Sequence, residues 1–261
     1  MMFDKIGFQQ YTVRDYMIDP DVADHAFAKL AKIGYTQIHT AHASPAFDEK
    51  TLGELCKKHG ISIIGSHYDW NKIQKDPEGV MELHNLWGTK NIGIGGMPQA
   101  ARTDLGELKT FIKQFNETAE IYAKHGFRLG YHNHYFEFIR VDGKKTMMDL
   151  LVENLDPKNT SFILDIAWLV AGSADVEDWI YKLDGRIDIL HLKDLFHLAD
   201  GRRLYPKATE LGNGMVNLDK ALKAAKATAV KYYIVEQDEF YSPNAVESLK
   251  ISADFLKKYM D

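Results

Sequence analysis

The chain has 261 residues, 37 acidic against 32 basic, for a formal net charge of −5, with 45% hydrophobic and 26% charged side chains. That length suits two domains of average size or one α/β barrel of roughly 250 residues. The mild acidity excludes a protein that lives on phosphate backbones, which need a surplus of Lys and Arg. A single cysteine, Cys56, excludes an internal disulfide and a cysteine-built zinc site, so a reducing cytoplasm is the expected setting.

The opening Met1-Met2-Phe3-Asp4-Lys5 has no signal-peptide pattern. The longest apolar stretch, 163–172, is interrupted by Asp165 and is too short to span a bilayer. Short β-type runs are predicted at 6–11, 36–39, 62–66, 91–94, 127–132, 161–165, 187–192 and 232–236, with starts 26 to 45 residues apart. The segments between them have helical period. Phe27, Leu30 and Ala31 share a face before Gly34; Leu52, Leu55 and Cys56 do so before Gly60; Phe111, Phe115, Ala119 and Tyr122 do so before Gly126. Lys-Ile-Gly and two copies of Lys-His-Gly close these helices, each followed by a strand. No Pro/Ser-rich linker or low-complexity tract divides the chain. Eight βα units without a break predict one domain over 1–261, a closed (β/α)8 TIM barrel, because parallel strands need crossover helices and closure removes sheet edges. An open doubly wound sheet would carry a Gly-rich loop after its first strand; here Thr12-Val13-Arg14-Asp15 follows instead.

Active sites of such barrels form at the carboxyl ends of the strands. Strand five ends Tyr131-His132-Asn133-His134 with Glu137 beyond, strand six ends in Asp165, strand seven in His191-Leu192-Lys193-Asp194, and strand eight in Glu236-Gln237-Asp238. Four successive strands therefore present His132, Asp165, His191 and Glu236 to one rim. This mixed N/O set suits one divalent ion, Mn, Zn, Co or Mg. Each residue alone is more often a loop cap or a hydrogen-bonded core group, but carboxylates set among apolar barrel residues call for a compensating cation. Gln9 and Tyr11 alternate on strand one, His39 and His42 close strand two, and His67 follows strand three. Together with Trp168 and Phe240 as stacking rings, these polar groups could form a sugar-sized pocket. Lys193 lies two residues past His191 on the same face. It would either polarise a substrate carbonyl or pair with Asp165 or Glu236. The turn Gly212-Asn213-Gly214 is a weak signal for binding an anionic group through backbone amides. Cys56 reads as core packing, and no Gly-x-Ser-x-Gly elbow is present.

At these residues the sequence resembles the xylose isomerase-like TIM barrels, the sugar phosphate isomerase/epimerase group of the AP endonuclease family 2 superfamily. The resemblance covers almost the whole chain, through 10–15, 131–138, 164–165, 191–194 and 235–238. It implies one divalent metal on His132, Asp165, His191 and Glu236. Two positions depart from the epimerases of the family: they usually have Glu where His132 stands, and often His where Trp168 stands. The family's usual relay of two carboxylates is thereby not implied by the resemblance. Glu236 remains as base, with His134, Glu137 or Lys193 to supply the second group.

Two reactions follow as expectations. In an isomerase or epimerase of a keto-sugar, free or phosphorylated, the metal would hold the carbonyl and acidify the neighbouring C–H. Glu236 would remove that proton and form an enediolate. In a lyase or dehydratase of a keto-inositol or 3-keto-glycoside, the same enolate would expel a β-substituent. A DNA-repair endonuclease would need more His and Glu ligands and a basic face, and a non-catalytic sugar-binding barrel would hold metal without proton exchange. The expected partner is a small sugar or polyol, with no nucleic acid and no membrane, and a homo-oligomer is compatible with the sequence.

Overall fold

A computed structural model describes residues 5–41, 48–240 and 244–259. Eight parallel strands close into a barrel: β1 (Ile6–Gln9), β2 (Tyr35–Thr40), β3 (Ser62–His67), β4 (Asn91–Ile94), β5 (Arg128–His132), β6 (Thr160–Asp165), β7 (Ile187–Leu192) and β8 (Tyr232–Val235). β8 hydrogen-bonds to β1 and completes the ring. The single (β/α)8 domain expected from the spacing is the observed one.

The helices form where the sequence supplies both a cap and a stripe. Asp19 opens Pro20–Ile33 by accepting from the amides of Asp21 and Val22, and Pro occupies the first turn, where its missing N–H costs nothing. Ala23, Ala26, Phe27 and Leu30 form its buried face, and Gly34 closes it in the left-handed region at φ 119°. Asp104 likewise caps Leu105–Ala123, which buries Leu108, Phe111, Phe115 and Tyr122. This helix ring and the outer faces of the strands make the main core.

The barrel interior is asymmetric. Ile163, Ile189 and Ile234, from β6, β7 and β8, join Ile64 in a separate buried cluster. Facing them are glycines: a Cβ on Gly7 would strike Ile234, and one on Gly93 would strike Ile163. Three bulky strands thus fill space that the glycine strands leave free, as close packing requires. At the amino-terminal end Asp188, 1% exposed, pairs with Arg128 at 3.0 Å and Lys231 at 2.7 Å.

Three features differ from the sequence expectation. β1 stops at Gln9, and residues Gln10–Tyr16 wind into a 3-10 helix, so Tyr11 does not alternate with Gln9 on a strand. The long interval between β7 and β8 holds an antiparallel hairpin, Asp194–Asp200 with Arg203–Thr209. A smaller hairpin, Arg140–Asp142 with Lys145–Thr146, follows β5. Apolar residues of the long hairpin such as Leu198 and Leu204 are exposed, and neither hairpin shows the sustained apolar/polar alternation that marks a half-buried strand in a sequence. Among the described residues no helix is long and apolar enough to cross a membrane.

Candidate functional site

The rim of β5 to β8 brings the four expected residues together. His132 and Asp165 end their strands, His191 is the penultimate residue of β7, and Glu236 follows the last residue of β8. One donor atom from each lies within 4.8 Å of the other three, and all four residues are buried.

Local structure aims them. Asp165 caps the helix Ile166–Ala171: its Oδ1 accepts from the amides of Ala167 at 2.9 Å and Trp168 at 3.1 Å, which leaves Oδ2 for the barrel mouth. Glu236 Oε2 lies 2.7 Å from His191 Nδ1, and His191 Nε2 lies 2.9 Å from His39 Nδ1. Gln9 Nε2 reaches the same His39 nitrogen at 3.0 Å. A line of contacts therefore runs Gln9–His39–His191–Glu236 across the mouth. His67 stands against His39 and His132, with ring centroids 4.5 and 4.7 Å apart.

Buried polar atoms are nearly always hydrogen-bonded, yet several here are not. Among the described residues, Gln9 Oε1, His39 Nε2, His67 Nε2, His132 Nδ1 and His134 Nδ1 have no hydrogen-bond partner. Asp165 Oδ2 has none either, only an ion pair with Lys193 at 3.0 Å. The rings are uncharged: burial first, then neighbouring imidazoles, hold His39, His67 and His132 well below the usual imidazole value. Neutral imidazole nitrogens beside two carboxylates are what a divalent ion binds. His132, Asp165, His191 and Glu236 fit such an ion in number, chemistry and burial.

Lys193, 2% exposed, lies between three carboxylates, 3.0 Å from Asp165 Oδ2, 3.1 Å from Glu236 Oε2 and 3.0 Å from Asp238 Oδ2. Burial pulls its ammonium down, but Asp165, Asp238 and Glu236 outweigh that and hold it well above the ordinary lysine value. Of the two sequence expectations for Lys193, the ion pairs are present. Burial also dominates at the acids. It raises Asp165 to about 6 against the pull of Lys193, whereas at Glu236 the charges of Lys193 and His191 overcome it and the carboxyl falls well below its usual range. Trp168 covers the lysine, its ring centroid 4.9 Å from Nζ.

The remaining expected residues divide. His67, His134 and Gln9 face the mouth; the His134 ring stacks on Phe136 with centroids 5.3 Å apart and lies 5.9 Å from Trp168. Tyr11 is 46% exposed and lies under the Arg14 guanidinium at 4.3 Å. Phe240 is partly buried, 6.0 Å from the same guanidinium. His42 falls outside the described residues. Glu137 is fully buried, with Oε1 accepting from Tyr131 Oη at 2.7 Å and Oε2 from the His134 amide at 2.8 Å. Tyr131 packs on Phe111 and Phe115 of the helix ring, so Glu137 braces the loop after β5 from behind the barrel wall.

The Gly212–Gly214 turn does gather an anion, and it is the chain's own. Asp194 Oδ2 accepts from the amides of Gly212 and Gly214, each at 3.0 Å, and Oδ1 accepts from Leu195 at 2.9 Å and Val216 at 3.0 Å. The weak signal for an anion at this turn is accounted for by Asp194, which already takes the amides of Gly212 and Gly214. Sequence reasoning gave no role to Asp194, Asn133 or Asp238. The signal was present in strand alternation, which turns Asp194 and Asn133 away from the face of Lys193 and His132.

The profile of the xylose isomerase-like TIM barrel matches residues 27–259. The chain belongs to that family. No curated protein sequence matches this xylose isomerase-like barrel. Among solved structures it is similar to a sugar phosphate isomerase/epimerase from Parabacteroides distasonis, at 23% identity and a TM-score of 0.80, over 97% of this chain and 93% of that one. It is also similar to the probable 3-DHS dehydratase AsbF of petrobactin synthesis from Bacillus anthracis, at 17% identity and a TM-score of 0.71, over 97% of this chain and 98% of that one. The IOLI protein with a bound zinc atom aligns at 17% identity and a TM-score of 0.73, over 98% of this barrel and 99% of that chain. At these identities the likeness concerns the fold.

Proposed function

We propose that this protein is a divalent-metal-dependent isomerase or epimerase of a keto-sugar, free or phosphorylated. The observation that carries the reading is the convergence of His132, Asp165, His191 and Glu236 within 4.8 Å, all buried, with His132 Nδ1 lacking a hydrogen-bond partner. The zinc atom of the IOLI protein and the isomerase/epimerase from Parabacteroides support it by likeness of fold. A divalent ion held by these four residues supplies Lewis-acid polarisation of the substrate carbonyl. The chain supplies the rest. Glu236, kept ionised by Lys193 and His191, takes the proton from the carbon beside the carbonyl. Lys193 stabilises negative charge growing on oxygen. Trp168 and His134 wall the mouth and exclude water, while Gln9 and His67 offer unpaired polar atoms to substrate hydroxyls.

One observation favours a second reading, a lyase or dehydratase of a keto-inositol or 3-keto-glycoside. Among the described residues β5 offers His132 where a second proton-carrying carboxylate would stand, and both Glu137 oxygens are engaged behind the wall. Elimination needs a base and a general acid, which Glu236 and Lys193 provide, since burial holds His134 down at about 4. AsbF, a probable 3-DHS dehydratase, shares the fold. For either reaction we propose a cytoplasmic enzyme of a small sugar or polyol that engages neither nucleic acid nor membrane. The net charge of −5 and the single cysteine support this setting.

The test is metal analysis of the purified protein, followed by incubation with keto-sugars in D2O. Isomerisation introduces deuterium with mass otherwise conserved, and elimination releases water or an alcohol. His191→Ala and Glu236→Ala should abolish both metal retention and exchange; survival of either property in either variant would overturn the ligand set.

A further inference from the structure

The carboxylate oxygens that would hold a divalent ion already hold a cation. Asp165 has only Oδ2 to offer, because Oδ1 is committed to the amides of Ala167 and Trp168. The Glu236 oxygen nearest His191 is Oε2, at 2.7 Å. Lys193 Nζ lies 3.0 Å from that Asp165 oxygen and 3.1 Å from that Glu236 oxygen. A divalent ion bound to both would draw on the same two oxygens as the ammonium, in a buried site where the repulsion between like charges is weakly screened. The two cations compete for this pair of oxygens. The third contact of Lys193 is different in kind: Asp238 is no member of the donor cluster, its side chain is 27% exposed, and it lies on the solvent side.

We propose that Lys193 is a built-in competitor of the metal, holding Asp165 and Glu236 together until a divalent ion displaces its ammonium onto Asp238 and toward the substrate. This rests on the metal reading above and adds a regulated order to it. The lysine becomes available to substrate only in the loaded protein. Trp168, with Nζ over its ring at 4.9 Å, keeps the displaced ammonium within the mouth.

The two partners of the swing predict opposite effects, which Mn²⁺ titration of the whole chain by calorimetry reads without any substrate. Lys193→Met removes the competitor and should bind Mn²⁺ at least tenfold tighter than the unaltered protein. Asp238→Asn removes the landing place while leaving the competitor, and should bind at least threefold weaker. Asp238 is part-exposed, so its variant tests the proposal even if Lys193→Met does not fold. Unchanged or weaker binding by Lys193→Met, or unchanged or tighter binding by Asp238→Asn, overturns the competition and leaves the metal reading standing. If neither the unaltered protein nor any variant binds Mn²⁺ or Zn²⁺, the metal reading and the competition fall together.

Discussion

The side chain of Asn133 closes on the backbone of Asp165: its Oδ1 accepts from the Asp165 amide at 2.9 Å and its Nδ2 donates to the Asp165 carbonyl at 3.4 Å. A residue between two rim histidines thus ties the end of β5 to the end of β6 and fixes the start of the helix that Asp165 caps. Groups that orient a metal ligand are worth about 10–100-fold in affinity. Asn133→Ala should therefore weaken Mn²⁺ binding by about that factor while the melting curve stays cooperative. Calorimetric titration beside a thermal melt checks it, and an unchanged affinity would show that Asp165 needs no such support.

Asp194 supports four backbone amides from Leu195 to Val216, and Gly214 has no room for a Cβ beside it. Losing a buried acceptor from such a network costs about 3 kcal/mol. For a chain of this size that lowers the melting temperature by about 6–12 °C. Asp194→Ala should show that loss in a thermal melt and should not be rescued by phosphate or sulfate.

Burial pushes Glu137 up to about 7, from an ordinary 4.5, against the donation of Tyr131 and the backbone. A carboxyl raised in this way contributes fully at low pH. Its contribution is lost as pH rises from about 4.5 through about 7, because the unfolded chain releases the proton first. Glu137→Gln removes that dependence. Relative to the variant, the unaltered protein should lose about 3 kcal/mol between pH 4.5 and pH 8, measured by urea unfolding at each pH. A flat difference would mean that the native Glu137 is already ionised under the Tyr131 hydroxyl.

Gly93 leaves space that Ile163 occupies from β6. Gly93→Ala should destabilise the barrel by about 1–3 kcal/mol through overpacking. The pair Gly93→Ala with Ile163→Val should recover part of the loss, because contacting residues couple. Urea unfolding of the two single variants and the double checks this.

The sequence made the barrel legible because closure leaves a repeated trace: a short apolar run, a capped amphipathic helix, a Lys-x-Gly stop. The four converging rim positions were legible for the same reason, since a carboxylate such as Asp165 directly after Phe162-Ile163-Leu164 has no comfortable explanation without a cation. What did not show were relationships between residues on different elements. Strand alternation could not tell whether Lys193 served substrate or neighbours, because that depends on where Asp238 lands after β8. It could not reveal that Glu137, three residues past His134, turns behind the wall to meet Tyr131. Nor could it show that Tyr11 leaves the strand, because a 3-10 turn and a strand end look alike over two residues. The Gly212–Gly214 turn was visible, but its anion, Asp194, lies 18 residues upstream of Gly212 across a hairpin.

Ile163, Ile189 and Ile234 stand two residues before Asp165, His191 and Glu236 on the same strands, whereas His132 and Gln9 stand two residues after Gly130 and Gly7. Depth beneath the reactive centre is therefore set by three branched side chains rooted on one side of the cylinder. Trimming any of them by a methyl would lower the basin under the opposite, glycine-built side without touching a single donor atom. Descendants of this chain thus have a route to longer or bulkier substrates that leaves the chemistry of the rim as it is.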